Sequence, residues 1–293
     1  MVLGAGEWEG IGLREPPNSN RSGHGQVAPK EFGFAREGRG MSDDVVTSAK
    51  QGIVIRMVEN AQGMSVCVEL QQRIWSYAPI DTVPDQIFIV AKKTGGQVMA
   101  AYDGGTPVGF ALAFAGMRDG LSYLHSHMVG VVEEHQNRGV GRLLKLAQRE
   151  DALERGINLI EWTFDPLQLK NAHFNIERLG AVARHYIPNL YGRTTSPLHA
   201  GLPTDRLVAE WWVRSQRVED MLAGRPRVTN PDCGRIAIPA GIRGICGDEP
   251  QTAENIQAAV RDQFLANIAN GRAAVGFEFN KGQGTYLLEP YED

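Results

Sequence analysis

The run Gln136-Asn137-Arg138-Gly139-Val140-Gly141 is the part of this 293-residue chain whose residue types and spacing point most directly to chemistry. It follows the apolar stretch Met128-Val129-Gly130-Val131-Val132 and precedes a segment with apolar residues at Leu143, Leu144 and Ala147. The first stretch reads as a strand and the second has the spacing of a helix face. Glycines in the intervening loop let an anion approach the backbone. The first N–H groups of a helix lack intrahelical partners, and the helix dipole adds partial positive charge at the same end. The run is therefore a candidate seat for a phosphate or pyrophosphate, with Arg138 and Arg142 as charged donors. A Gly-x-Gly after a strand also makes a plain tight turn, and only the surrounding context separates the two readings. Neither GxxxxGK[ST] nor GxGxxG occurs here.

The elements that must position this loop follow from hydrophobic period and turn residues. Residues 53–58 read as a first strand, and residues 64–76 as a helix with Val66, Leu70 and Ile74 on one face. Residues 97–102 and 107–115 form two strands about the turn Asp103-Gly104-Gly105, and residues 121–132 a third after Asp119-Gly120. A helix begins at Val140 and ends near Gly156. Strand 159–163, helix 171–179 closed by Gly180, and strands 181–187 and 208–213 follow. A crossover helix between neighbouring strands implies local parallel pairing. Beyond Ala223–Asp232, the sequence predicts a strand at 235–238, a helix at 252–268 and strands at 273–279 and 285–288.

The expected organisation is an unstructured extension over residues 1–48, an α/β (α+β) domain over 49–222 and a small α/β region over 223–293. Nine glycines in the first forty residues, without sustained periodicity, carry the first assignment. Met41 opens MSDDVV, an alternative translation start. A net charge of -4 gives no bulk attraction to nucleic acid or to an anionic membrane. Three widely spaced cysteines with no CxxC pair suit a reducing compartment and offer no zinc knuckle. No signal peptide or apolar run of membrane-spanning length stands out, so the expected location is cytoplasmic.

Gln136, Gly139 and Gly141 fill the fixed positions of [QR]-x-x-G-x-[GA], and Val129 and Val131 fill the apolar strand positions before it. Asn171-Ala172 and Leu179-Gly180 supply an Asn…Leu-Gly helix after the next strand. Together these resemble the GNAT superfamily of acyl-CoA N-acyltransferases, over roughly residues 52–213. The stretches SHMVGV, LKLAQR, WTFDPL, NAHFNIERLGA and LYG, and a C-terminal extension ending near GTYLLEP, resemble one subgroup of it. The resemblance implies a mixed, mostly antiparallel central sheet flanked by helices. The strand before the loop would splay from its neighbour to form a V-shaped cleft. Acetyl-CoA or another acyl-CoA would be the co-substrate, its pantetheine arm along Met128, Val129 and Val131. Its pyrophosphate would sit on residues 136–141, with Arg142 and Asn171 nearby. A backbone N–H would polarise the thioester carbonyl.

The implied reaction is direct acyl transfer to an amine of a small molecule or peptide. It needs a base for the amine proton and an acid for the thiolate. Many members place a Tyr acid where this chain has Ile176. Tyr186 and Tyr191 are the candidate substitutes. His127, Glu161 and Asp165 are the candidate bases, each with a structural alternative: a hydrogen-bonded histidine, a solvent-facing glutamate and a helix cap. His125 shares the face of His127, but no third metal ligand accompanies the pair. Trp75, Trp162, Trp211 and Trp212 read mainly as core, and Asp205-Arg206 as a local ion pair. The alternative function is a non-catalytic acyl-CoA-binding or sensing module. The C-terminal region could also cap the sheet or support a homodimer.

Overall fold

Runs of β-branched and small apolar residues become the strands, and the longest of them lie at the centre. The computed structural model describes residues 45–47, 52–77, 79–192, 201–225, 227, 228, 230–242, 245, 248–280 and 282–291. The chain divides into units Met1–Ser42 and Asp43–Asp293, and every described residue lies in the second. The first 44 residues of the expected extension therefore lie outside the described residues. Within that extension Val45–Thr47 forms a strand, β1, paired antiparallel with β2, Ile53–Met57.

Four strands then run antiparallel in order: β2, β3 (Gln97–Asp103), β4 (Thr106–Arg118) and β5 (Leu121–Val131). In β4, residues 108–113 are buried in succession, as expected of a strand covered on both faces. Helix α1, Ala61–Trp75, begins on Asn60, whose side chain caps Gly63 N–H at 2.9 Å. Met64, Cys67, Leu70 and Gln71 are its fully buried residues, and the expected Val66 and Ile74 pack partly buried against the same core. A second helix, α2 (Asp85–Lys93), was not foreseen. Helix α3, Val140–Glu154, crosses from β5 to β6, Leu159–Phe164. That crossover makes β5 and β6 parallel, as the pattern implied.

The next crossover departs from expectation. Helix α4, Leu169–His173, passes into a π turn over Phe174–Arg178, where Leu179 N–H reaches Phe174 C=O. The following strand β7, Val182–Ile187, does not pair with β6. Strand β8, Arg206–Trp212, inserts between them, antiparallel to both. Helix α5, Gln216–Leu222, follows.

The C-terminal region continues the same sheet. Strand β10, Arg272–Asn280, pairs with β7 and β11; β11, Gln283–Pro290, pairs with β9, Gly234–Pro239. Helix α6, Pro250–Ala269, covers them. Among the described residues eleven strands form one sheet, ordered β1-β2-β3-β4-β5-β6-β8-β7-β10-β11-β9. One apolar core gathers under β2–β5, α1, α2 and α3, and another under β6–β11. Their boundary falls at β5 and β6, where the site lies. No helix among the described residues is long and apolar enough to cross a membrane.

Candidate functional site

Strands β5 and β6 pair at only two positions, Leu124 with Ile160 and His125 with Glu161. The cause is local. The register with β4 shifts between Ala113–Ser126 and Leu112–Met128, leaving His127 as an extra residue on β5. A bulge of this kind bends its strand and increases the twist. Beyond it β5 leaves β6, which is held to β8 along its whole length. The implied splay is therefore present. A cleft of about 1070 Å³ opens there, and Met128, Val129 and Val131 lie along one wall.

The loop closes one end. Gln136 Nε2 donates to Val131 C=O at 3.1 Å, tying the loop back to the strand. Asn137 and Gly139 both take positive φ, 58° and 85°. The first α3 bond is Leu143 N–H to Gly139 C=O, so the N–H groups of Val140, Gly141 and Arg142 precede the helical ladder. Gln136, Asn137, Gly139, Val140, Gly141, Arg142 and Asn171 all line the cleft; Arg138 does not. An adjoining pocket of about 290 Å³ shares Arg142 and Arg178 with the cleft and adds Arg225 and Arg227. Burial and the charge of Arg178 both lower the Arg142 pKa. Arg225 and Arg227 are engaged by Asp220 and Glu289, so Arg142 and Arg178 supply the positive charge beside the anion seat, which favours a phosphate ligand. The cradle thus fits a pyrophosphate by its open amides, its charge and its position at a helix N-terminus.

The five candidate acid and base residues separate. His127 stands exposed on the cleft wall, its ring 5.5 Å from that of Phe114. Desolvation, and then the neighbouring His125, push its pKa down, so the imidazole is poised as a neutral base. Tyr191 also lines the cleft, with its hydroxyl 3.1 Å from Thr163 Oγ1 and Arg206 over its ring. Glu161 lies elsewhere, buried and paired with Arg118 at 2.7 Å and His125 at 3.3 Å. Burial alone would raise its carboxyl pKa, but those two partners outweigh it and hold the pKa below the usual value. Asp165 accepts Leu167 N–H at 2.9 Å ahead of α4. Tyr186 is buried and donates to Asp205 at 2.7 Å; burial and that carboxylate push its phenol pKa far up. The Asp205 carboxylate pairs with Arg261 of α6, while Arg206 Nη1 donates to the Asp205 backbone C=O at 2.9 Å. Ile176, at the resemblance's acid position, is a core residue. Among the described residues no three His, Cys, Asp or Glu side chains are grouped to hold a metal.

Among the cleft residues that sequence reasoning missed are Thr163, Arg178, Ser126 and Lys145. Lys145 is 3% exposed, its Nζ 2.8 Å from Ser126 Oγ and 3.6 Å from the centre of the Trp162 ring. Ser126 Oγ also donates to Gln148 Oε1 at 3.0 Å. Burial drives the Lys145 pKa well down. A signal existed: Gly141, Lys145, Gln148 and Ala152 make one helical stripe, and a lysine on it faces inward with its neighbours. Trp75 and Trp162 also line the cleft, whereas Trp211 is fully buried.

Residues 65–181 match the family model described as the acetyltransferase (GNAT) family. No curated protein matches the chain. Among solved structures, the chain is similar to the ribosomal-protein-S18-alanine N-acetyltransferase of Escherichia coli, at 16% identity and a TM-score of 0.46, over 56% of this chain and 95% of that one. It is similar to a putative GNAT acetyltransferase of Desulfovibrio desulfuricans, at 15% identity and a TM-score of 0.45, over 55% and 99%. Naa50 of Arabidopsis thaliana, solved with the bisubstrate analogue CoA-Ac-MVNAL, gives 15% identity and a TM-score of 0.44 over 54% and 97%. With its splayed strands, its glycine loop at the α3 N-terminus and the matching family model, the segment 65–181 is a domain of the GNAT acetyltransferase family.

Proposed function

We propose that this chain is an acyl-CoA-dependent N-acyltransferase that moves an acetyl group to an amine of a small molecule or peptide. The observation that carries this reading is the β5–β6 cleft ending on the residue 136–141 cradle. Past His125, β5 has no pairing with β6, so its backbone groups on that side are open to the amides of a pantetheine arm. The amides ahead of α3, with Arg142 and Arg178 beside them, take the pyrophosphate. His127 at the wall accepts the proton of the incoming amine, and its depressed pKa keeps it unprotonated near neutral pH. Tyr191 and Thr163, on the opposite wall, offer hydroxyls to the acceptor.

Calorimetric titration with acetyl-CoA and longer acyl-CoAs, followed by thiol release against an amine panel, tests the reading. Binding with amine-dependent thiol release is expected. Failure to bind any acyl-CoA would overturn it. A second reading, binding without turnover, draws on Ile176, whose side chain is buried in the core where the resemblance would place an acid. Binding with no thiol release against any amine would favour that reading.

A further inference from the structure

We propose that Ser126 and Lys145 form a nucleophile–base pair that carries the acyl group on Ser126 between acyl-CoA and the amine. The inference rests on the acyl-CoA reading of the cleft and replaces direct transfer with two steps. Both side chains line the cleft, and both are almost wholly enclosed. Their polar atoms are 2.8 Å apart, the separation at which a base activates a hydroxyl. Nζ also lies 3.6 Å from the centre of the Trp162 ring, whose packing confines it. Enclosure favours the uncharged amine, which has a lone pair to accept the hydroxyl proton. Gln148 holds Oγ from a third direction, at 3.0 Å. Its buried Nε2 has no hydrogen-bond partner among the described residues, so turning the amide over would present a donor to Oγ. The hydroxyl proton would then be directed to Lys145. A plain packing role would not call for burying a lysine and a serine together at the cleft wall.

The first step forms a bond from Ser126 Oγ to the thioester carbonyl carbon and breaks the carbon–sulfur bond. The hydroxyl proton passes to Lys145 Nζ and from the resulting ammonium to the thiolate, releasing CoA as the thiol. In the second step the acceptor nitrogen attacks the ester carbonyl and the carbon–Oγ bond breaks. The amine proton returns through Nζ to Oγ. Lys145 thus supplies the proton for the leaving sulfur, which Ile176 cannot provide.

The test mixes the full-length protein with acetyl-CoA, or a longer acyl-CoA, in the absence of an amine. The expected result is a burst of one thiol per chain and a mass gain of one acyl group, mapped to Ser126 by peptide sequencing. Ser126→Ala is expected to bind acetyl-CoA with unchanged affinity and to show no burst. Ser126→Cys keeps the side-chain volume and is expected to carry the group as a thioester. Lys145→Met is expected to slow the burst about 100-fold or more while still binding. Binding by the wild type without a burst, an acyl group mapped elsewhere, or full amine transfer by Ser126→Ala would overturn this inference alone. Absence of acyl-CoA binding would overturn the proposed function as well.

Discussion

At residue 139 the backbone takes φ 85° immediately before α3. A side chain in that region costs about 1–2 kcal/mol, because Cβ crowds the following carbonyl. Relief of that strain would rotate the amides that face the cleft. Gly139→Ala is therefore expected to lower the melting temperature and to weaken acetyl-CoA binding about tenfold. Gly141 gives the contrast: a Cβ there would meet only Val131 Cγ2, at 3.9 Å. Gly141→Ala is expected to keep its melting temperature, so that any loss of acetyl-CoA affinity there comes from a Cβ in the cradle and not from backbone strain. Calorimetry and melting temperatures on both variants check the pair, and an equal drop in melting temperature would place the effect outside the backbone argument. The glycine loop is readable from sequence because its demand is local, one conformation at one position. For Lys145 the helical stripe gives only the inward direction; its seat against Trp162, which arrives from β6, is not legible. The same distance hides the fate of Asp205, whose partner Arg261 lies 56 residues away.

The cleft is made by elements that fail to pair. The bulge at His127 turns β5 away from β6, and tight packing on its other side holds the new course. A Cβ added at Gly130 would stand 2.9 Å from Ile74 Cδ1 and 3.0 Å from two atoms of the Trp75 ring. Trp75 is itself a cleft residue, stacked with Tyr77 at 5.5 Å. Gly130→Ala is expected to displace that ring into the cleft and to cost about 1–3 kcal/mol by overpacking. The check is chemical denaturation together with acetyl-CoA affinity; an unchanged affinity would mean that α1 yields without moving the wall. Strands β2 to β5 are legible because their apolar runs and the Gly turns between them act over neighbouring residues. Helix α2 is not, since Ile87, Ile89 and Val90 are exposed and blur its apolar face. The insertion of β8 between β6 and β7 is set by long-range register, which local pattern does not carry. The π turn after α4 likewise follows a helical pattern in sequence and differs only in its hydrogen bonds.

Across the whole molecule, the last seventy residues share a core with the GNAT domain. Ile236, Ile238, Val260, Phe264, Phe277, Tyr286 and Leu288 all sit in the apolar cluster that also holds Trp162, Ile176 and Trp211. Tyr286 is fully buried, and its hydroxyl donates to Pro166 C=O at 2.7 Å, in the turn after β6. Arg261 balances the Asp205 carboxylate, which is fully buried beside Tyr186. Truncation after Leu222 would remove all of these groups, bare the edge of β7 and leave Asp205 without its cation. The β6 side of the cleft depends on this core, whereas the β5 side rests on the other one. The truncated chain is therefore expected to aggregate or to keep only partial structure, and to lose acetyl-CoA binding altogether. Size exclusion, circular dichroism and calorimetry would show it. A monomeric, fully folded product that still binds acetyl-CoA would instead make residues 223–293 an appendage to a self-sufficient domain.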